Sequence, residues 1–254
     1  MASQAERATS FGAIAAEYDR LRPSPAPEAV RWLLPERHDV TIDVAAGTGL
    51  LSRVLAAQVR SVVAVELDHR MAAVLRQRSP GVQVVQGRGE ALPLAGASAD
   101  AVLISSAWHW LDLPRAVPEI ARVLRPGGRL CVLRTSVDPA TPWLRELRSA
   151  SEGEAREGGA REGEARPPRQ RGLPETGLFG EVVTGSFEFT RAMSVDDFTD
   201  MLATYSAVIT ASAGERSARL ARVRAGLGRL FPGASHIDVP MRTGCWRADR
   251  LVAD

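Results

Sequence analysis

Apolar positions along the chain follow two rhythms. Short apolar runs at 40–44, 62–65, 82–86, 101–105 and 130–134 read as strands. Between them, 50–59, 69–78 and 115–124 carry helical spacing. In the last of these Val117, Ile120, Ala121 and Leu124 share one helical face. Pro126-Gly127-Gly128 then predicts a helix end and a strand start. Strand, helix, strand repetition implies a parallel sheet with right-handed crossovers. Upstream, 10–34 reads as two short helices broken by Arg22-Pro23-Ser24-Pro25-Ala26-Pro27. Downstream, 182–190 reads as a strand, and Ser194 is placed to cap a helix. Two or three helices occupy 195–230, and 237–246 closes the chain as a strand.

The segment 151–172 has neither rhythm. It holds five glutamates and five arginines, with Ala-Arg-Glu-Gly written twice. No apolar face forms at any period, so a solvated, disordered loop is expected. The rest supports one domain over 1–254, because 254 residues with 45% apolar content can bury one large core. The net charge of +2 argues against a nucleic-acid footprint. All 32 basic residues are arginine, which excludes a phosphate-loop lysine and a Schiff-base lysine. Cys131, Cys245 and four scattered histidines make no metal-ligand spacing, so no metal is expected. They read as free thiols of a cytoplasmic protein. No apolar run precedes Ser10, and none approaches the ~20 residues of a membrane span, so neither a secretory signal nor membrane association is expected.

Chemistry concentrates at Asp43-Val44-Ala45-Ala46-Gly47-Thr48-Gly49, where the first strand meets the first helix of the repeat. Glycines let the backbone approach a ligand there, at the strand end where open α/β sheets bind ligands. Seventeen residues after Gly49 the next strand ends in Glu66, whose carboxylate can accept from both hydroxyls of a ribose. A dinucleotide fingerprint would need a third glycine where Ser52 stands. Asp43 would repel a pyrophosphate and suits a cofactor with an ammonium group.

The ordered set of motifs resembles class I S-adenosylmethionine-dependent methyltransferases, most closely the type 11 branch of small-molecule enzymes common in actinobacteria. The motifs are 40–49, Val63-Ala64-Val65-Glu66-Leu67-Asp68, Gly89-Glu90-Ala91-Leu92-Pro93-Leu94, Asp100-Ala101-Val102, His109-Trp110 and Arg125-Pro126-Gly127-Gly128. The opening Phe11-Gly12, Ala15, Tyr18-Asp19-Arg20 and Arg22-Pro23 is similar too, as is the ending Val239-Pro240, Thr243, Cys245 and Arg247-Ala248. Departures are few. Ala45 replaces a usual glycine where a backbone carbonyl binds, Gly89 replaces a usual alanine, and Pro25-Ala26 replaces an aromatic-proline pair.

The resemblance implies an α/β Rossmann-like sheet, mostly parallel with the last strand antiparallel, and helices on both faces. The N-terminal helices over 10–34 would cover the cofactor, and the helices over 194–231 would cap the substrate side. The implied cofactor is S-adenosyl-L-methionine. It would be held by Tyr18, Asp43, Ala45, Gly47, Gly49, Glu66, Leu67, Met71, Glu90, Ala91 and Ser105. Arg22, Trp108, Trp110 and Tyr205 would face a small-molecule acceptor, with His109 as a base or a positioning group. Arg22 and Arg134 could meet an acidic substrate or the cofactor carboxylate. The expected reaction is methyl transfer, to oxygen first and to nitrogen or carbon otherwise, in natural-product or metabolite chemistry. Three alternatives stay open: a non-methylating cofactor-binding protein of the same fold, a nucleic-acid methyltransferase and a dehydrogenase.

Overall fold

Strand β1 (Val40–Val44) organises the sheet. In the computed structural model, which describes residues 10–152, 172–209 and 211–252, β2 (Ser61–Glu66) pairs parallel along one side of it. Strand β3 (Gln83–Gln86) continues outward in the same sense. On the other side β4 (Ala99–Ser105) and β5 (Leu124–Val137) also run parallel. The last strand, β7 (His236–Asp249), lies antiparallel against β5, and β6 (Val183–Ser194) lies antiparallel outside β7. The order is β3-β2-β1-β4-β5-β7-β6, with β7 alone running against the rest. This is the Rossmann-like, mostly parallel sheet with an antiparallel last strand that the family resemblance implies. The order reverses between β1 and β4, which opens a crevice at their carboxyl ends.

Period-two alternation sends side chains to both faces. Ile42, Val44, Val102 and Ile104 pack under α5 (Leu113–Val123), through Val117 and Ile120. Ala64, Ala101 and Leu103 pack under Leu33 of α2 (Pro27–Leu33), Leu51 and Leu55 of α3 (Leu50–Ala56) and Leu75 of α4 (His69–Arg78). Each fully buried leucine contributes roughly 1.5–3 kcal/mol of transfer free energy. α1 (Ala15–Leu21) follows a 3-10 turn at Ser10–Ile14.

A third core joins α6 (Pro142–Glu152), α7 (Val195–Ala203) and α9 (Ala213–Leu230), with α8 (Ser206–Ile209) between the last two. Leu144 and Leu147 meet Phe198, Met201, Val223 and Leu227 there. Ser194 caps α7, its hydroxyl accepting from the Asp197 N–H. α6 is an element that the sequence reading leaves out. The loop expected over 151–172 falls, between Glu152 and Gly172, outside the described residues. Several boundaries move. α3 stops at Ala56 instead of 59, the helix expected over 115–124 starts at Leu113 and ends at Val123, and the strand expected over 130–134 runs from Leu124 to Val137. Arg125, preceding Pro126, is disfavoured in a helix, so the chain turns extended early.

Candidate active site

The turn after β1 holds three left-handed residues: Ala45 at φ 55°, Gly47 at φ 60° and Gly49 at φ 87°. Its amides are largely committed. Ala46 N–H donates to the Val65 carbonyl, Gly49 N–H to the Ala46 carbonyl, and Gly47 N–H to Glu66 Oε2 at 2.7 Å. Glu66 Oε1 accepts from the Asp68 N–H at 2.8 Å. Burial pushes the Glu66 carboxyl above its ordinary range, although these backbone donors oppose the shift.

Asp43 lies wholly buried beneath the turn. Ser52 Oγ donates to its Oδ2 at 2.6 Å, and Oδ1 has no partner. Burial raises its pKa from 3.8 to about 7, with the Ser52 bond opposing and the Glu66 charge adding. Ser52, the residue that breaks the dinucleotide fingerprint, is therefore the support of Asp43.

A cavity of about 900 Å³ opens above this turn. Of the residues expected at the site, its wall contains Tyr18, Arg22, Ala45, Gly47, Glu66, Leu67, Met71, Glu90, Ser105, Trp108, His109, Trp110 and Tyr205. Asp43, Gly49 and Ala91 are not on that wall. Gly49 instead makes room for α4, since a Cβ there would stand 2.8 Å from Leu75 Cγ. Ala91 is exposed on the turn that follows β3, its N–H bonded to the Arg88 carbonyl.

Glu90 Oε1 accepts from the Asp112 N–H at 2.9 Å, which ties that turn to the start of α5. Leu67 is 42% exposed, one of few large apolar side chains left open among the described residues, while Met71 beside it is buried. Beyond β4, Ser106 is held at φ 57°. The 3-10 turn Trp108–Trp110 follows. Trp108 is mostly core, packed edge-on against Trp246 at 5.2 Å. His109 is exposed on the wall and meets Trp110 at a tilt, with ring centres 4.6 Å apart. Desolvation, and then the nearby Arg134 charge, lower the His109 pKa below 6.5.

The chain has two tyrosines, and both lie on Arg22. Its guanidinium sits 5.4 Å from the Tyr18 ring centre and 4.3 Å from that of Tyr205. Arg22 Nη1 is buried without a hydrogen-bond partner. Pro25 and Ala26 are buried, and Ala26 N–H donates to Thr243 Oγ1 at 3.1 Å. That stretch therefore fixes Arg22 to the sheet.

Sequence reasoning does not place Phe11, Asp68, Arg115, Thr204, Gly244 and Trp246 at the site, yet all line the cavity. Gly244 and Trp246 reach it only through the pairing of β7 with β5. The partners on offer suit a nucleoside joined to an amino acid. Each Glu66 oxygen keeps a second lone pair for a ribose hydroxyl, Asp43 Oδ1 lacks a positive partner, and Arg22 Nη1 lacks a negative one. A pyrophosphate would find the turn's amides at Ala46, Gly47 and Gly49 already in use. Among the described residues no cluster could hold a metal ion.

A sequence profile of a methyltransferase domain matches residues 42–132. A protein of Mycobacterium tuberculosis H37Rv described as an uncharacterised methyltransferase is 39% identical over 97% of this chain and 98% of its own length. A malonyl-[acyl-carrier protein] O-methyltransferase of Methylococcus capsulatus is 38% identical over 56% of this chain and 54% of its own. The fold matches a solved structure from Anaeromyxobacter dehalogenans, described as that of a type II methyltransferase, with a TM-score of 0.69, at 24% identity over 92% of this chain and 99% of the other. The chain belongs to the S-adenosylmethionine-dependent methyltransferases, with the class I fold, and S-adenosylmethionine is its cofactor.

Proposed function

We propose that this methyltransferase acts on an oxygen of a small molecule and that His109 receives the acceptor's proton. The observation that carries this reading is the position of His109 on the cavity wall, with a pKa lowered below 6.5. Its imidazole is neutral at physiological pH and able to accept a proton. The relative described as an O-methyltransferase supports oxygen as the acceptor atom.

In this reading Glu66 takes the ribose hydroxyls, with Leu67, Met71 and Glu90 around the base. Ala45 and Ser105 present backbone carbonyls to the amino-acid end, and Asp43 acts on its ammonium from beneath the Gly47–Gly49 turn. Tyr18 and Arg22 close over that end, and Tyr205 and Trp110 face the acceptor. Bound S-adenosylmethionine supplies a methyl group already activated on a sulfonium. The protein's task is then alignment, exclusion of water and proton removal. Trp108, Leu111 and Trp246 are buried apolar walls suited to keeping water out. Free, buried Cys131 and Cys245 support a cytoplasmic setting, where a metabolite or natural-product precursor is the acceptor we favour. Among the described residues no helix is long and apolar enough to cross a membrane.

His109→Gln tests the assignment. Turnover of methyl-labelled cofactor should fall at least ~100-fold, the low end of general-base effects, with cofactor affinity unchanged. The wild-type rate should rise with pH through a pKa below 6.5 that the variant lacks. Near-normal turnover with the same pH profile would reduce His109 to a structural residue.

A further inference from the structure

We infer that the acceptor is a small planar molecule carrying a carboxylate, seated in a trough over Gly244 with Arg134 as its anion partner. This deepens the proposed reaction and rests on it.

The trough follows from strand register. Arg134 of β5 pairs directly with Gly244 of β7, and Gly244 pairs with Ser186 of β6. Directly opposed residues of antiparallel strands point to the same face, with Cα atoms about 4.5–5.5 Å apart. Val132 and Trp246, the next pair along the same face, also line the cavity. A side chain at 244 would therefore rise into the cavity between Arg134 and Ser186. Glycine leaves that row empty, and a Cβ placed there meets no atom within 4 Å. The floor is thus a slot one residue wide. Its wall is Trp246, held edge-on against Trp108.

Gly244 also has no conformational reason to be glycine. It is not among the positive-φ residues. Glycine in a strand interior loses stability relative to a side chain that packs, and often marks close approach of a ligand. Absence of the side chain, not backbone freedom, is what this position supplies.

Charge points the same way. Arg134 is exposed on the cavity wall, and no described carboxylate forms an ion pair with it. Of the four acids on the wall, Asp112 stands exposed at the start of α5 and forms no ion pair with Arg134, and the other three are engaged elsewhere. Glu66 accepts from backbone amides, Asp68 is bound by Arg70 and Glu90 holds the Asp112 amide. One guanidinium matches one carboxylate charge through two parallel hydrogen bonds. The trough also stands apart from the nucleoside end. β7 lies two strands beyond β4, about 10 Å at normal strand spacing, whereas Glu66 ends β2 on the far side of β1. His109 is close enough to Arg134 to feel its charge. A hydroxyl on a carboxylate-bearing ring in the trough would face that imidazole.

The test uses wild-type protein loaded with S-adenosylhomocysteine and titrated calorimetrically with hydroxybenzoates and the matching hydroxybenzamides. The acids should bind at least ~10-fold more tightly than their amides. Arg134→Gln should weaken the acids roughly 10- to 100-fold, the worth of hydrogen bonds to a charged group, and leave the amides nearly unchanged. The same variant should raise the His109 pKa seen by NMR, because a neighbouring cation is gone. Gly244→Val should abolish acid binding while homocysteine-nucleoside affinity stays within about 2-fold. Valine favours strands, and Gly244→Ala gives a milder version should valine disturb folding. Acids that bind no better than amides, or no acid binding up to about 10 mM, would overturn the inference. So would a Gly244→Val protein that still binds acids, or an unmoved His109 pKa in Arg134→Gln. Failure of the wild type to bind S-adenosylhomocysteine would count against the enzyme reading instead.

Discussion

Two buried carboxylates flank one turn, and burial treats them alike. Asp43 ionises near 3.8 when unfolded and near 7 when folded. Between those values the folded protein holds a proton that the unfolded chain has released. Stability therefore falls as pH rises from about 4 to about 7 and stays low above it, by an amount on the order of a few kcal/mol. Glu66 shifts in the same direction. Urea unfolding at pH 5 and pH 8 should show greater stability at pH 5. Asp43→Asn, which can still accept from Ser52, should lose most of that difference. A bound ammonium would favour the charged form of Asp43, so cofactor affinity should be less sensitive to pH in the same variant. Glu66→Ala should weaken cofactor binding by roughly 1.5–3 kcal/mol, measured by calorimetry. Ala45 carries a left-handed backbone that costs an L-residue about 1–2 kcal/mol. Ala45→Gly should therefore raise unfolding stability, by roughly 0.5–1 kcal/mol after glycine's entropy is counted. At this scale the turn and Glu66 were legible, because strand, turn and helix adjoin in sequence. The partnership of Ser52 with Asp43 was not, since its meaning depends on a helix folding back onto the strand end.

Elements meet at Arg22. It closes the C-terminal end of α1, Tyr18 lies one turn before it, and Tyr205 reaches it from the turn between α7 and α8. The N-terminal helix and the helices after β6 thus share one cation. Tyr205→Ala should cost about 1 kcal/mol, in the range of cation–π contacts, and should raise hydrogen exchange over 11–21. Tyr205→Phe should retain most of the contact and the protection. An exchange pattern that is the same in both variants would show that the two helical pieces are independent. The alternating strands and helices of the first half were readable because each carries its own period. α6 was not read, although Trp143, Leu144 and Leu147 give it an apolar face. Its partners lie on α7 and α9, far along the chain, and its C-terminal end runs straight into the glutamate- and arginine-rich segment. Strands β6 and β7 extend beyond their apolar runs for a similar reason. Ladder pairing carries β6 on through 191–194 and β7 on through 247–249, where hydrophobic pattern gives no signal.

The whole molecule depends on β7. It fills the gap between β5 and β6, and it brings Gly244 and Trp246 to a cavity otherwise built by residues from the first half and the helical cap. A chain ending at residue 235 should show no cooperative melting transition, since β5 would keep an open edge and β6 would lose its pairing partner. Position in the sheet also sets a clock. The ribosome releases the chain from its N-terminus at about 5–20 residues per second, so β5 waits several seconds for the strand that belongs beside it. During that interval its unpaired edge, with Leu130, Val132 and Leu133, is available to any other strand. Synthesis of this enzyme should therefore depend more on chaperones, and fail more often by aggregation, than its well-buried first half would suggest.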